Sequence, residues 1–143
     1  MFYGEYAHML DAKGRMSMPA RYREELGEKF MVTKGINNCL FVFPMGEWNA
    51  FADKLRALPT TDKTAQIFLR FLFAGACECE LDKQGRILLP ASLREFAGLE
   101  KEVMVIGAMT RAEIWNRDRW KEYSNAAADE YDEVLAQMAQ LGI

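Results

Sequence analysis

The chain has 143 residues, half of them hydrophobic and 27% charged, with three cysteines, one histidine and a formal net charge of −3. That length holds one compact domain or two small ones and can bury a core. No apolar run approaches the roughly 20 residues that span a bilayer, no secretory-type apolar stretch opens the chain, and the odd set Cys39, Cys77 and Cys79 suits free thiols in a reducing cytoplasm.

Net negative charge alone argues weakly against nucleic acid, but the acidity is segregated. From Ala112 to Ile143 three basic residues stand against seven acidic ones, which leaves residues 1–111 with a net charge of +1. Such a pattern is compatible with a basic face opposite an acidic one.

In chain order, Phe2 to Leu10 reads as a strand that ends at the turn Asp11, Ala12, Lys13, Gly14, Arg15. An Asp that opens a four-residue turn accepts backbone N–H groups ahead of it, and a Gly at the fourth position supplies the positive φ of a bulged type I hairpin. Arg15 to Met18 returns as a short strand. Pro19 suits the first turn of a helix, and Ala20 to Leu26 is a helix stopped by Gly27. Phe30 to Thr33 and Cys39 to Phe43 are strands, the second ended by Pro44.

Trp48, Phe51, Ala52, Leu55 and Leu58 then recur at helical steps until Pro59. Thr60 and Thr61 are possible caps for a second helix that carries Ile67, Phe68, Phe71 and Leu72 and ends at Gly75. Cys77 to Leu81 is a strand, Asp82 to Arg86 a turn, Ile87 to Leu89 a strand, Pro90 to Ala97 a helix stopped by Gly98. Val103 to Ile106 and Glu113 to Trp115 are strands, and Trp120, Tyr123, Ala127, Tyr131, Leu135 and Met138 mark a final helix.

The second half therefore repeats the first. Leu10, Asp11, Gly14, Arg15, Pro19, Ala20, Arg23 and Glu24 return as Leu81, Asp82, Gly85, Arg86, Pro90, Ala91, Arg94 and Glu95, all at an offset of 71. Each half reads as β–β–α–β–β followed by a helix, an α+β pattern. Each is too short for a robust core of its own, so the two are expected to fold together as a pseudo-dimer with one interior. Three amphipathic helices exceed what two small β units need, and part of their apolar surface is expected to face a neighbouring subunit.

Catalysis finds little support. His8 occupies the position equivalent to Cys79, and nothing supplies a third, orienting group at a recognisable spacing. Cys77, Cys79 and His8 are thin for a metal, since structural zinc usually shows two close ligand pairs. The glycines form no phosphate cradle. No cofactor and no small-molecule substrate is expected. What remains is the run Lys13, Arg15, Arg21, Arg23, broken before Glu24 only by small or apolar residues and Tyr22. A two-stranded ribbon enters the major groove, and an Arg at its tip can bond a guanine at two acceptors, while Lys meets phosphate as a point charge.

The twin Asp-x-x-x-Arg turns, each followed by Pro-Ala and then Arg-Glu, the opening Met-Phe-x-Gly and the Glu113-Ile114-Trp115 strand resemble the MraZ family of bacterial transcriptional regulators. The resemblance implies two tandem AbrB-like swapped-hairpin units interlocked as a pseudo-dimeric barrel: residues 5–47 and 76–119, with a helical insertion at 48–75 and a C-terminal helix at 120–143. It also implies a ring-like homo-oligomer on double-stranded DNA, nucleoid-associated in the cytoplasm. The targets it implies are short G-containing direct repeats upstream of the division and cell wall gene cluster that encodes the regulator.

Carried over by position, Asp11 and Arg15, and Asp82 and Arg86, are the motif residues. The second copy departs at Lys83, Gln84 and Ser92, where the first has Ala12, Lys13 and Arg21. Arg15 and Lys13 are accordingly expected as primary DNA contacts, with Arg86 and Lys83 as secondary contacts or interface braces. The alternatives are a protein-interaction module of antitoxin type, and an enzyme that uses the His8 and Cys79 neighbourhood.

Overall fold

A computed structural model describes residues 1–143. The first half contains β1 (Glu5–Met9), β2 (Arg15–Ser17), α1 (Ala20–Leu26), β3 (Lys29–Lys34) and β4 (Leu40–Pro44). Two helices follow, α2 (Met45–Leu55) and α3 (Lys63–Ala74). The second half contains β5 (Cys77–Glu80), β6 (Arg86–Leu88), α4 (Ala91–Phe96), β7 (Glu102–Ala108), β8 (Arg111–Asn116) and a long α5 (Arg117–Ala139). The mixed α+β order expected from the repeat is observed.

Local chemistry sets the element ends. Pro19, Pro44 and Pro90 stand at the N-caps of α1, α2 and α4, where ring-fixed φ leads into the helix and no amide is lost from it. The cap of α3 is Asp62 rather than Thr60 or Thr61: its carboxylate accepts from the Thr64 amide. Asn116 caps α5 by accepting from Arg119 N–H. The caps at Pro44 and Asn116 start α2 and α5 one turn ahead of Trp48 and Trp120, the residues expected to open them.

The strands form a six-stranded antiparallel sheet in the order β1-β7-β8-β4-β3-β5 and a separate ribbon of β2 with β6. Only β3–β4 and β7–β8 pair within a half. The pairs β1–β7, β3–β5, β4–β8 and β2–β6 all join one half to the other. This corrects the expectation that each Asp turn caps its own two-stranded ribbon. β1 and β2 touch through one bridge, Leu10 to Met16, and then part. Arms of five and three residues make a marginal hairpin alone, and exchange gives each arm a full ladder with the opposite half.

Side-chain alternation in the sheet divides two interiors. Phe30, Val32, Leu40, Val42, Val103, Val105 and Ile114 face a main core closed by Met16 and Ile87 of the ribbon and by Tyr22 of α1 and Leu93 of α4. Phe41, Phe43, Ile106 and Trp115 face the other side, where Trp48 of α2 is buried and Trp120 of α5 packs alongside. Central β4 is thus covered on both faces, which is why it reads as an unbroken apolar run. Glu113 is buried in the second layer with both oxygens occupied: Arg111 Nε donates to Oε2 at 2.9 Å and Trp115 Nε1 to Oε1 at 3.0 Å.

Because the main core draws on both halves, chemical denaturation should show one cooperative transition. Ile87→Ala should cost about 2–5 kcal/mol, and residues 1–71 expressed alone should lack sheet structure by circular dichroism.

Candidate nucleic-acid interface

The two Asp turns are built alike, bond for bond. Asp11 N–H donates to the Arg15 carbonyl at 2.8 Å and Gly14 N–H to the Asp11 carbonyl at 3.0 Å. Asp11 Oδ1 accepts from the amides of Lys13 and Arg15, each at 2.9 Å, and Oδ2 from Arg15 Nε at 2.8 Å. In the second turn Asp82 Oδ1 accepts from the Gln84 and Arg86 amides and Oδ2 from Arg86 Nε, all at 2.9 Å. The carboxylate thus locks the turn and holds the arginine by its inner nitrogen. Both carboxyls lie below the usual aspartate range, first through the backbone N–H of Arg15 or Arg86 and further through that arginine's side chain.

Each turn is completed by the other half. Gly14 and Gly85 adopt φ of 85° and 73°, and both are buried. The guanidinium of Arg94, from α4, lies against Gly14, and that of Arg23, from α1, lies against Gly85. These two arginines are anchored through Nε, Arg23 to the Met18 carbonyl at 2.9 Å and Arg94 to the Leu89 carbonyl at 3.1 Å. The ladder also runs into the turns, since Met18 N–H donates to Gly85 O at 3.0 Å and Leu89 N–H to Gly14 O at 2.9 Å. Every turn therefore carries two guanidinium groups, Arg15 with Arg94 and Arg86 with Arg23, and none of their Nη atoms has a hydrogen-bond partner in the chain.

Met16 and Ile87 point inward from the ribbon, so Arg15, Ser17, Arg86 and Leu88 share its outer face. The register pairs Arg15 with Leu88 and Ser17 with Arg86. The two motif arginines thus sit diagonally across the ribbon, about 7 Å apart along the strands. They are about one-third exposed, at 32% and 29%, and Lys13 and Lys83 are exposed beside them.

The structure brings to each turn an arginine from the other half. Sequence comparison gave the second copy fewer cations, yet with the crossing arginines each turn has three, Lys13, Arg15 and Arg94 against Lys83, Arg86 and Arg23, beside one aspartate. Arg21 takes a different place, its guanidinium 4.6 Å from the ring centre of Tyr3. The part played by Arg94 was missed because the residue that it serves lies 80 positions away, in the other half. Leu88 lay unmarked inside the expected strand Ile87 to Leu89, and it is 60% exposed on the outer face of the ribbon.

His8 and Cys79 lie on β1 and β5, the two edge strands of the sheet, and no hydrogen bond joins them. Burial first, and neighbouring Cys77 next, push the Cys79 thiol up to about 12. Burial, then the charge on Arg23, hold His8 below the ordinary imidazole range. A protonated thiol without a base is a poor nucleophile. No group of three or more His, Cys, Asp or Glu side chains is placed to hold a metal ion, and no helix is long and apolar enough to cross a membrane.

A family model described as "MraZ protein, putative antitoxin-like" matches the chain twice in tandem, over residues 1–71 and 72–141. The chain belongs to the MraZ family. It is 56% identical over 143 residues to the transcriptional regulator MraZ of Moorella thermoacetica, with both chains covered in full. It is 56% identical over 138 residues to that of Carboxydothermus hydrogenoformans, covering 96% of each chain. With the MraZ regulator of Alkaliphilus metalliredigens it shares 55% identity over 143 residues, the whole of both chains. The junction between the two MraZ units falls inside α3, and each unit contributes one Asp turn and the helix arginine that covers the turn of the other.

Gly14→Ala or Gly85→Ala should cost about 1–2 kcal/mol for the left-handed backbone alone, and more because a methyl would displace the covering guanidinium; urea denaturation measures it. With folded Asp11 and Asp82 below their unfolded value, the turn bonds are intact above about pH 4 and are lost as pH falls through the lowered range. The Arg15 and Arg86 amide shifts should accordingly stay flat from about pH 8 to pH 5 and move only under strong acid.

Proposed function

We propose that this protein is a sequence-specific DNA-binding transcriptional regulator that reads duplex DNA with the outer face of the β2–β6 ribbon. One observation carries the reading: two identically bonded turns hold four guanidinium groups, Nη atoms free, around one exposed ribbon. Two strands about 5 Å apart fit a major groove about 12 Å wide. The separation of Arg15 and Arg86 along the ribbon, about 7 Å, is close to two steps of B-DNA. Their fixed Nε and open Nη atoms suit bidentate contact with guanine O6 and N7, with Lys13 and Lys83 on phosphate and Asp11 and Asp82 as the braces that aim the arginines.

The targets are short G-containing direct repeats upstream of the division and cell wall gene cluster, the protein's own promoter included. The protein works in the cytoplasm, on the nucleoid, as a ring-like homo-oligomer. Self-association multiplies modest contacts by avidity. The exchange of arms between the halves supports reading them as AbrB-like swapped-hairpin units joined in one pseudo-dimeric barrel. The antitoxin-like wording of the family description favours a second reading, a module whose target is another protein, and a gel shift with upstream DNA and no added protein separates the two.

Arg15→Ala should abolish the shift of upstream DNA while leaving native mass and circular dichroism unchanged, and Arg86→Ala should weaken it. The loss per bidentate contact is about 1–3 kcal/mol in a single engaged unit, multiplied in the assembly. Affinity should fall steeply with salt, at about 0.9 decades per decade for each neutralised phosphate. Wild-type affinity in the double variant would remove the ribbon as the reader.

A further inference from the structure

Two apolar surfaces of this chain lie uncovered, and they are opposite in charge. The first is the distal part of α5. Every residue from Ala128 onward is exposed, so about 18 Å of helix stands clear of the fold. Along it Tyr131, Val134, Leu135 and Met138 recur at steps of three and four, one stripe on one face. Asp129, Glu130, Asp132 and Glu133 surround the stripe, and no basic residue follows Lys121.

The second is a groove of about 720 Å³ between α2 and α3, closed by the turns that follow β3 and β7. Phe41, Phe43, Phe51, Ile67, Phe68 and Phe71 line it. Its charged residues are Lys34, Lys54 and Arg111 against Glu47. Lys34 Nζ sits 3.6 Å from the ring centre of Phe71, at the lip.

The stripe does not fill the groove of its own chain: every residue from Ala128 onward is exposed and none lines the groove. α5 leaves β8 at Asn116, whereas the groove meets β8 at its other end, at Arg111. α5 is one continuous helix from Arg117 to Ala139, and no residue of it lines the groove. A helix that lays an apolar face into a hydrophobic groove is a standard mode of recognition, and here the acidic flanks of the helix match the basic lip.

We propose that the distal α5 stripe of one copy docks into the α2–α3 groove of the next. The contact is heterologous: each copy offers one stripe and one groove, so copies add head to tail and close when the rotation between them permits. This rests on the self-association proposed above and names the two surfaces that make it.

The test uses the full chain, by sedimentation velocity. The Leu135→Asp and Met138→Asp double variant spoils the stripe, and Phe68→Asp spoils the groove. All three positions are exposed in the single chain, and circular dichroism confirms that each variant folds. Wild type should sediment as an oligomer and each variant alone as a monomer. An equimolar mixture should give a heterodimer and nothing larger, because the intact stripe of the groove variant meets the intact groove of the stripe variant. Wild-type mass in either variant would overturn the docking while leaving self-association in place through another surface. A mixture that stays monomeric would overturn the head-to-tail contact, as would Phe68→Asp assembling alone, the mark of stripes that pair with each other. A monomeric wild type would overturn self-association and docking together, while the gel shift of the Arg15 variant still tests DNA reading separately.

Discussion

The pairing of β2 with β6 is the contact on which the rest of the structure depends. Each strand has three residues, too few to persist alone, and the register sets Met16 directly opposite Ile87, with both side chains driven into the main core. Further ladder bonds run past the strand ends into the carbonyls of Gly14 and Gly85. Ribbon, turns and core consequently form together or not at all. Arg94 and Arg23 extend the same logic to charge, since the helix of one half lies over the glycine of the other.

This arrangement explains how a chain with net negative charge keeps concentrated cations at one place. The guanidinium groups are spent asymmetrically: the inner Nε is committed to a carboxylate or a carbonyl, and the outer fork stays open. Lysine could not do both, because its single ammonium has no second, geometrically fixed set of donors. The acidic residues that dominate the net charge are carried largely by α5, beyond the sheet.

Much of this was legible in the residues. The offset of 71 announced two like halves, and the Asp and Gly at fixed positions gave the turn, because that chemistry is local. Proline, glycine and apolar period placed most elements to within a few residues. What stayed hidden was partnership. Phe2 to Leu10 and Arg15 to Met18 look like the arms of one hairpin, and nothing in their own sequence says that each pairs better with a distant strand. The alternation that makes Met16 a core residue also makes Leu88 an outward one, but a three-residue strand is too short to reveal its phase. Arg94 had no local signature at all.

One asymmetry in the ribbon has an effect out of proportion to its size. Near two-fold symmetry equates Arg15 with Arg86 and Gly14 with Gly85, so a rod lying across the ribbon would meet much the same surface from either end. Ser17 and Leu88 occupy matching places and differ in kind, a small hydroxyl beside Arg86 and a bare isobutyl group beside Arg15. That single mismatch, with the lysine set one position differently in each turn, gives the surface a heading. Whatever lies across it is held with one end distinguished from the other, as an arrow is rather than a bar.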